Sequence, residues 1–154
     1  MSDAKLSGYK TATTAITWAS GQDLVSLGDN EWTDLSDAID NSTDLYLSVD
    51  LECVLASAAF TGGDAVIEVY LIPSIDGTNY PNWTGNATTE EQENGQYFVG
   101  SFMTSGATVA QRAALRDIAL PNGKYKWGFR NRTNVALAAS GNTISWRPHG
   151  YQAV

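Results

Sequence analysis

Between residues 45 and 55 the chain reads Leu45-Tyr46-Leu47-Ser48-Val49-Asp50-Leu51-Glu52-Cys53-Val54-Leu55. Every odd position is apolar, while Ser48, Asp50 and Glu52 occupy even ones. Successive side chains of a strand point to opposite faces, so this period of two describes a half-buried strand with one apolar and one acidic side. A second stretch has the same period: Tyr125, Trp127 and Phe129 alternate with Lys124, Lys126 and Arg130. Its aromatics are expected in the core and its bases on the solvated or partner-facing side. Residues 65–72 are rich in β-branched side chains and apolar nearly throughout, the pattern of a central strand.

Shorter signals fill in the rest. Residues 97–104, 112–120 and 143–147 read as strands, 135–139 as a further candidate, and 13–19 and 24–27 as weaker ones. Turns are marked by Asp76-Gly77, Pro121-Asn122-Gly123 and Ser140-Gly141-Asn142. One turn of helix fits residues 34–40, but no segment keeps apolar residues at helical spacing long enough for a core helix. Seven to nine short strands punctuated by Gly, Asn and Asp predict an all-β chain folded as an antiparallel β-sandwich, with jelly-roll as the first topology. The domain is expected over residues 13–154, behind an N-terminal arm of residues 1–12. Leu47, Val49, Leu51, Ile67, Val69, Leu71, Tyr125, Trp127 and Phe129 are the expected core. Residues 76–96 form a long polar connection with no strand pattern, a length that usually signals function or disorder.

At 154 residues the chain has one domain's worth of length and needs no metal or disulfide staple. Only 17% of residues are charged, below the roughly 25% of an average soluble chain. Surfaces poor in charge suit proteins that pack against other proteins. The formal net charge is −8, which argues against free nucleic acid as a partner. Its distribution is uneven: residues 1–100 hold 16 acids and 2 bases, residues 101–154 hold 1 acid and 7 bases. Either strands from the two halves pair and offset each other, or the molecule has an acidic and a basic surface that meet between subunits. The polar start, Met-Ser-Asp-Ala-Lys, carries no apolar signal core, and no run approaches a membrane span, so no membrane partner is expected. The four Asn-x-Ser/Thr triplets, at Asn41, Asn82, Asn86 and Asn131, then read as turn chemistry.

Reactive groups are sparse. His149 is the only histidine, which rules out a histidine-bridged metal site, and no Gly-x-Ser-x-Gly elbow accompanies it. Glu90, Glu91 and Glu93 lie in the polar connection, where carboxylates are solvated. Gly62-Gly63 is followed by Asp64 and no lysine, so no phosphate loop is present. Cys53 falls inside an apolar alternating run and reads as an inert buried thiol. The basic row near Lys124 has its aromatics on the opposite face, unlike a nucleic-acid platform, which needs both on one face. The expectation is a chain with no catalytic residues, cofactor or metal. Trp83 has no place in the alternation and is either a partner contact or a cover over one end of the core. The candidate contact residues are Tyr9 and Trp18 near the start, Tyr80 and Trp83 in the long connection, the bases Arg112, Arg116, Lys124 and Lys126, and His149 with Tyr151.

Three stretches resemble short structural proteins encoded by tailed bacteriophages: residues 69–80 (Val-Tyr-Leu-Ile-Pro-Ser-Ile-Asp-Gly-Thr-Asn-Tyr), residues 115–129 with their Leu-Pro-Asn-Gly-Lys-Tyr-Lys core, and residues 136–144 followed by Arg147-Pro148. The resemblance spans roughly residues 65–150. It implies a virion component, made in the host cytoplasm, of the capsid decoration or cement type. Such a protein would contact the major capsid protein and copies of itself, as a trimer. The alternative is a tail or head-fibre component that stacks host carbohydrate on Trp83 and Tyr80.

Overall fold

The computed structural model describes residues 4–9, 11–60, 65–83 and 95–153, with the side chains of 4–9 and 151–153 outside the description. The chain is all-β, with β1 (Ala4–Tyr9), β2 (Thr14–Ala15), β3 (Ile39–Asp40), β4 (Ser48–Leu55), β5 (Val66–Pro73), β6 (Phe98–Met103), β7 (Gln111–Ala119), β8 (Lys124–Arg132) and β9 (Thr143–Ala153). Two antiparallel sheets form a β-sandwich. The first runs β1-β9-β4-β7, with β2 also on β9, and the second runs β3-β8-β5-β6. The pairing is nested, as in one long hairpin: β1 and β2 meet β9, β3 meets β8, β4 meets β7, and β5 meets β6.

Between the sheets lie Val49, Leu51, Cys53 and Leu55 of β4, Ile67, Val69 and Leu71 of β5, and Tyr125, Trp127 and Phe129 of β8. The period of two that marks β4 and β8 in the sequence thus sets their register in the core. Leu47 departs from that expectation and is 48% exposed. The strand begins only at Ser48, because Leu45 takes a left-handed φ of 49° and turns the chain before the ladder starts. Asn41 holds this turn. Its buried Nδ2 donates to Tyr46 O (2.9 Å) and Pro121 O (3.0 Å), and its Oδ1 accepts from Tyr46 N (2.8 Å).

Residues 34–40 hold no helix, and residues 24–27 and 135–139 are not strands. Instead, residues 27–36 run along the open side of β8. Thr33 N donates to Phe129 O and Ser36 N to Trp127 O. In return, Phe129 N donates to Thr33 Oγ1 (3.1 Å) and Trp127 N to Ser36 Oγ (2.9 Å). The two hydroxyls stand in for the carbonyls of a neighbouring strand, so an edge that would template aggregation is capped. Leu24, Leu27 and Leu137 still reach the core, joined by the bond from Leu137 N to Leu27 O. The segment read as an arm contains β1, which pairs with β9, and 13–19 shrinks to the two residues of β2.

Asn131 ties this layer to β8. It is fully buried, and its Nδ2 reaches Leu27 O, Gly28 O and Val135 O at 2.8–3.0 Å while its Oδ1 accepts from Thr133 N and Oγ1. Tyr125 Oη and Trp127 Nε1, by contrast, are buried with no hydrogen-bond partner among the described residues. Removing a partnered amide orphans several groups, whereas removing an orphan hydroxyl relieves a desolvation penalty. Asn131→Ala is therefore expected to lose about 3 kcal/mol in denaturant unfolding, and Tyr125→Phe to be neutral or stabilising. A Tyr125→Phe loss above about 1 kcal/mol would show that the hydroxyl has a partner after all.

Candidate functional site

The outer face of the first sheet carries a cluster of charged side chains from β4, β7 and β9. Ser48, Asp50 and Glu52 point outward from β4, between β7 and β9. Arg112 Nη1 lies 3.1 Å from both carboxylate oxygens of Glu52, and Arg116 Nε lies 3.4 Å from Asp50 Oδ2. Glu52 is opposite two small residues, Ala114 and Ser145. With Arg116 and Arg147 beside them they leave a depression of about 230 Å³.

At the next position the ladder carries a β-bulge. Val49 pairs with Ile118 and Leu51 with Leu115, so Asp50 faces both Arg116 and Asp117. Asp117 adopts a left-handed φ of 58°, and the alternation breaks: Arg116 and Asp117 are both exposed. A bulge re-aims a side chain in this way. Here it brings Asp117 Oδ1 to 3.2 Å from His149 Nε2, which is also 3.4 Å from Asp50 Oδ1. Asp117 N donates to Asp50 Oδ1 at 2.9 Å. Ser48, directly opposite His149, places its Oγ 3.2 Å from Nδ1 and 3.3 Å from Nε2.

The outer face of the second sheet carries a roofed aromatic cluster beside charged side chains. Trp32, Tyr70 and Ile72 form a separate buried cluster, with Leu35, Tyr80, Trp83 and Tyr97 packed on it. Trp83 crosses Trp32 edge-on at 5.1 Å, tilts over Tyr70 at 5.6 Å, and donates from Nε1 to Thr33 O at 2.8 Å. Of the two roles its sequence position left open, Trp83 takes that of a cover. Gly128 allows this approach, because a Cβ there would meet the Trp83 ring at 2.4 Å. The bases of β8 lie under the same roof: Lys126 Nζ is 5.0 Å from the Tyr80 ring centre, and Arg130 Cζ is 4.9 Å from that of Trp32. Lys126 and Arg130 are thus roofed, whereas Arg132 stays half exposed.

The charge imbalance between the two halves of the sequence is offset in part inside the sheets. Asp50 and Glu52 meet Arg116 and Arg112, and Glu68 meets Arg130 and Arg132. Many acids of the early segment serve instead as backbone acceptors: Asp34 for Gln22 N, Asp37 for Ala19 N, Asp23 for Val25 N and Glu31 for Gly28 N.

The candidate contact residues therefore divide. Arg112, Arg116 and His149 share the outer face of the first sheet, whereas Tyr80, Trp83 and Lys126 belong to the roof of the second. Lys124 pairs in register with Asp40. Trp18 is a flank of the core, its Nε1 donating to Asp34 O (2.9 Å) and its ring edge-on to Phe129. Tyr9 and Tyr151 lie on β1 and β9 with their side chains outside the description, and Glu90, Glu91 and Glu93 lie outside the described residues. Cys53 is buried, and desolvation pushes its thiol up to about 12. Sequence reasoning missed Ser48, Asp50 and Asp117 as neighbours of His149. The outward position of Asp50 was legible, but the bulge and the β4–β9 adjacency were not.

Compared with known proteins, the chain matches no family model and no curated sequence.

Two outcomes follow from this packing. Gly128→Ala should dislodge Trp83, red-shifting tryptophan emission and destabilising the fold by about 1–3 kcal/mol. An unchanged spectrum would mean that the ring does not lie on the strand. Cys53 should resist a thiol reagent at pH 8 in the native protein and react fully once unfolded.

Proposed function

We propose that the chain is a structural protein of a tailed-phage particle, of the capsid decoration or cement type, with a jelly-roll fold. It acts through contact area and not through catalysis, binding the major capsid protein and further copies of itself as a trimer. The nested order β1-β9-β4-β7 and β3-β8-β5-β6 supports the jelly-roll reading, since counting β1 and β2 as one strand gives eight strands in two four-stranded sheets. Viral capsid proteins use that architecture widely.

The observation that carries the reading is the build of one end of the sandwich. Leu47 O accepts from Leu120 N, Asn41 N donates to Gly123 O, and Ser74 N donates to Lys124 O, so the loops at 41–47, 74–79 and 120–123 gather there. At this end Leu45, Leu47 and Ile75 are 54%, 48% and 103% exposed. Past Ser48, the partner of His149, residues 150–153 of β9 pair with Ala4–Ser7 of β1 and extend the sheet as a two-stranded ribbon. Exposed apolar side chains beside a projecting ribbon form an attachment end. An interface of standard size, about 1,600 Å² in total, would then resist shell expansion. The carbohydrate-binding alternative is weakened, because Trp83 is engaged within the fold.

Deleting residues 2–9, or replacing Leu47 with Asp, should leave the sandwich folded by far-UV circular dichroism but reduce its occupancy on shells. Docking through this apolar end should weaken only slightly between 0.1 and 0.5 M salt, a range over which exposed ion pairs are screened within about 10 Å or less. Quantitative mass spectrometry of the particle should find hundreds of copies. A few copies confined to the tail would overturn the cement reading in favour of the fibre.

A further inference from the structure

We infer that Asp50, Asp117 and His149 form a binding site for a divalent transition-metal ion such as Zn²⁺ or Co²⁺, clipping β4, β7 and β9 together. One ligand atom from each of the three residues lies within 4.8 Å of the others. The two separations from His149 Nε2, 3.4 Å to Asp50 Oδ1 and 3.2 Å to Asp117 Oδ1, decide the fit. Around a metal with bonds of about 2.0–2.1 Å, neighbouring donors stand about 3.0 Å apart in an octahedron and about 3.4 Å apart in a tetrahedron. The third side, between the two carboxylates, is within 4.8 Å, and Asp50 Oδ1 also accepts from Asp117 N at 2.9 Å.

The surroundings suit such an ion. Arg116 Nε sits beside Asp50 Oδ2, the oxygen that does not face His149, and so orients the carboxylate without occupying the donor position. Ser48 Oγ lies 3.2 Å from Nδ1 and 3.3 Å from Nε2, packed against the imidazole without selecting one of its nitrogens. The imidazole nitrogen selects Zn²⁺, Co²⁺ or Ni²⁺ over Mg²⁺ and Ca²⁺, which prefer oxygen ligands throughout. Asp117 is 75% exposed at its side chain, so the site opens to solvent and water completes the shell. The bulge is what converts two neighbouring residues into one outer-shell cation and one ligand on the same face.

The competing account is an ordinary ion pair, with a protonated imidazole held between two carboxylates. Titration of ZnCl₂ into the chelator-treated full chain, followed by calorimetry, separates the two. The metal-site reading expects one ion per chain and a melting temperature that climbs with the logarithm of Zn²⁺ concentration, with no climb for Mg²⁺. Asp117→Asn and His149→Ala should each weaken Zn²⁺ binding at least about tenfold, whereas Glu52→Gln, on the same face, should not. Asp117→Asn decides the matter if His149→Ala fails to fold, because Asn tolerates the left-handed backbone as Asp does. Absence of binding at millimolar Zn²⁺, or equal binding by Asp117→Asn, overturns the inference.

Discussion

The central strands of the second sheet, β5 and β8, are buried on both faces, and much of the remaining chain follows from that constraint. A sandwich covers only the inner face, so the chain must supply a second cover. It does so with two irregular segments: residues 27–36 along the side of β8, and residues 79–83 over its outer face. Trp32, Tyr70 and Ile72 become a second, smaller core between sheet and roof. A large aromatic residue can lie flat on a strand only where the strand has no side chain beneath it, which is why Gly128 stands between Lys126 and Arg130. Both bases then find ring faces above them, and cation–π attraction partly replaces the water they lose.

The same economy governs the charges. An acid-rich first half and a basic last third would strain a molecule in which each kept to its own side. Antiparallel nesting instead lays the basic strands β7, β8 and β9 against β4 and β5, so opposite charges meet as cross-strand neighbours. Of these pairs only Arg112–Glu52 is exposed on both sides, and such a pair adds little to stability on its own. Their greater effect is on register, since a slip by one residue would set Asp50 and Glu52 against the core. Acids of the early segment that face no base accept backbone N–H groups instead, replacing a regular ladder in a stretch with almost none.

How far the sequence could be read depended on whether structure followed a local period. Strands β4 and β8 have periods that persist for seven residues, and β5 is a continuous apolar run, so their core positions were legible almost completely. The limit came at Leu45 and Leu47, whose alternation continues in sequence after the backbone has turned at a left-handed residue. Segments 24–27, 34–40 and 135–139 were misread for a related reason. Their leucines Leu24, Leu27 and Leu137 are buried by tertiary fit, while hydrogen bonds to side chains such as Asn131 and Ser36 replace a regular ladder. Hydroxyls and amides that replace a strand neighbour leave no periodic trace. The turn role of Asn41 was readable from residue type, whereas Asn131, read the same way, lies within β8, and the long-range partners of neither were legible.

The grouping around His149 shows the same limit at the level of a site. His149 and Asp50 are 99 positions apart in the chain, and only the nested pairing of β4 with β9 makes them neighbours. Asp117 joins them because one extra residue in β7 turns its carboxylate to the outer face, where simple alternation would have sent it inward. A bulge at an edge strand bends and twists that edge, which already discourages edge-to-edge pairing between copies. The β1–β9 ribbon begins one residue beyond His149, so the bulge and the histidine stand at the root of the element that projects from the sheet. Any ligand or proton held there bears on three strands at once. That position couples the most adaptable chemistry in the chain to its proposed point of attachment.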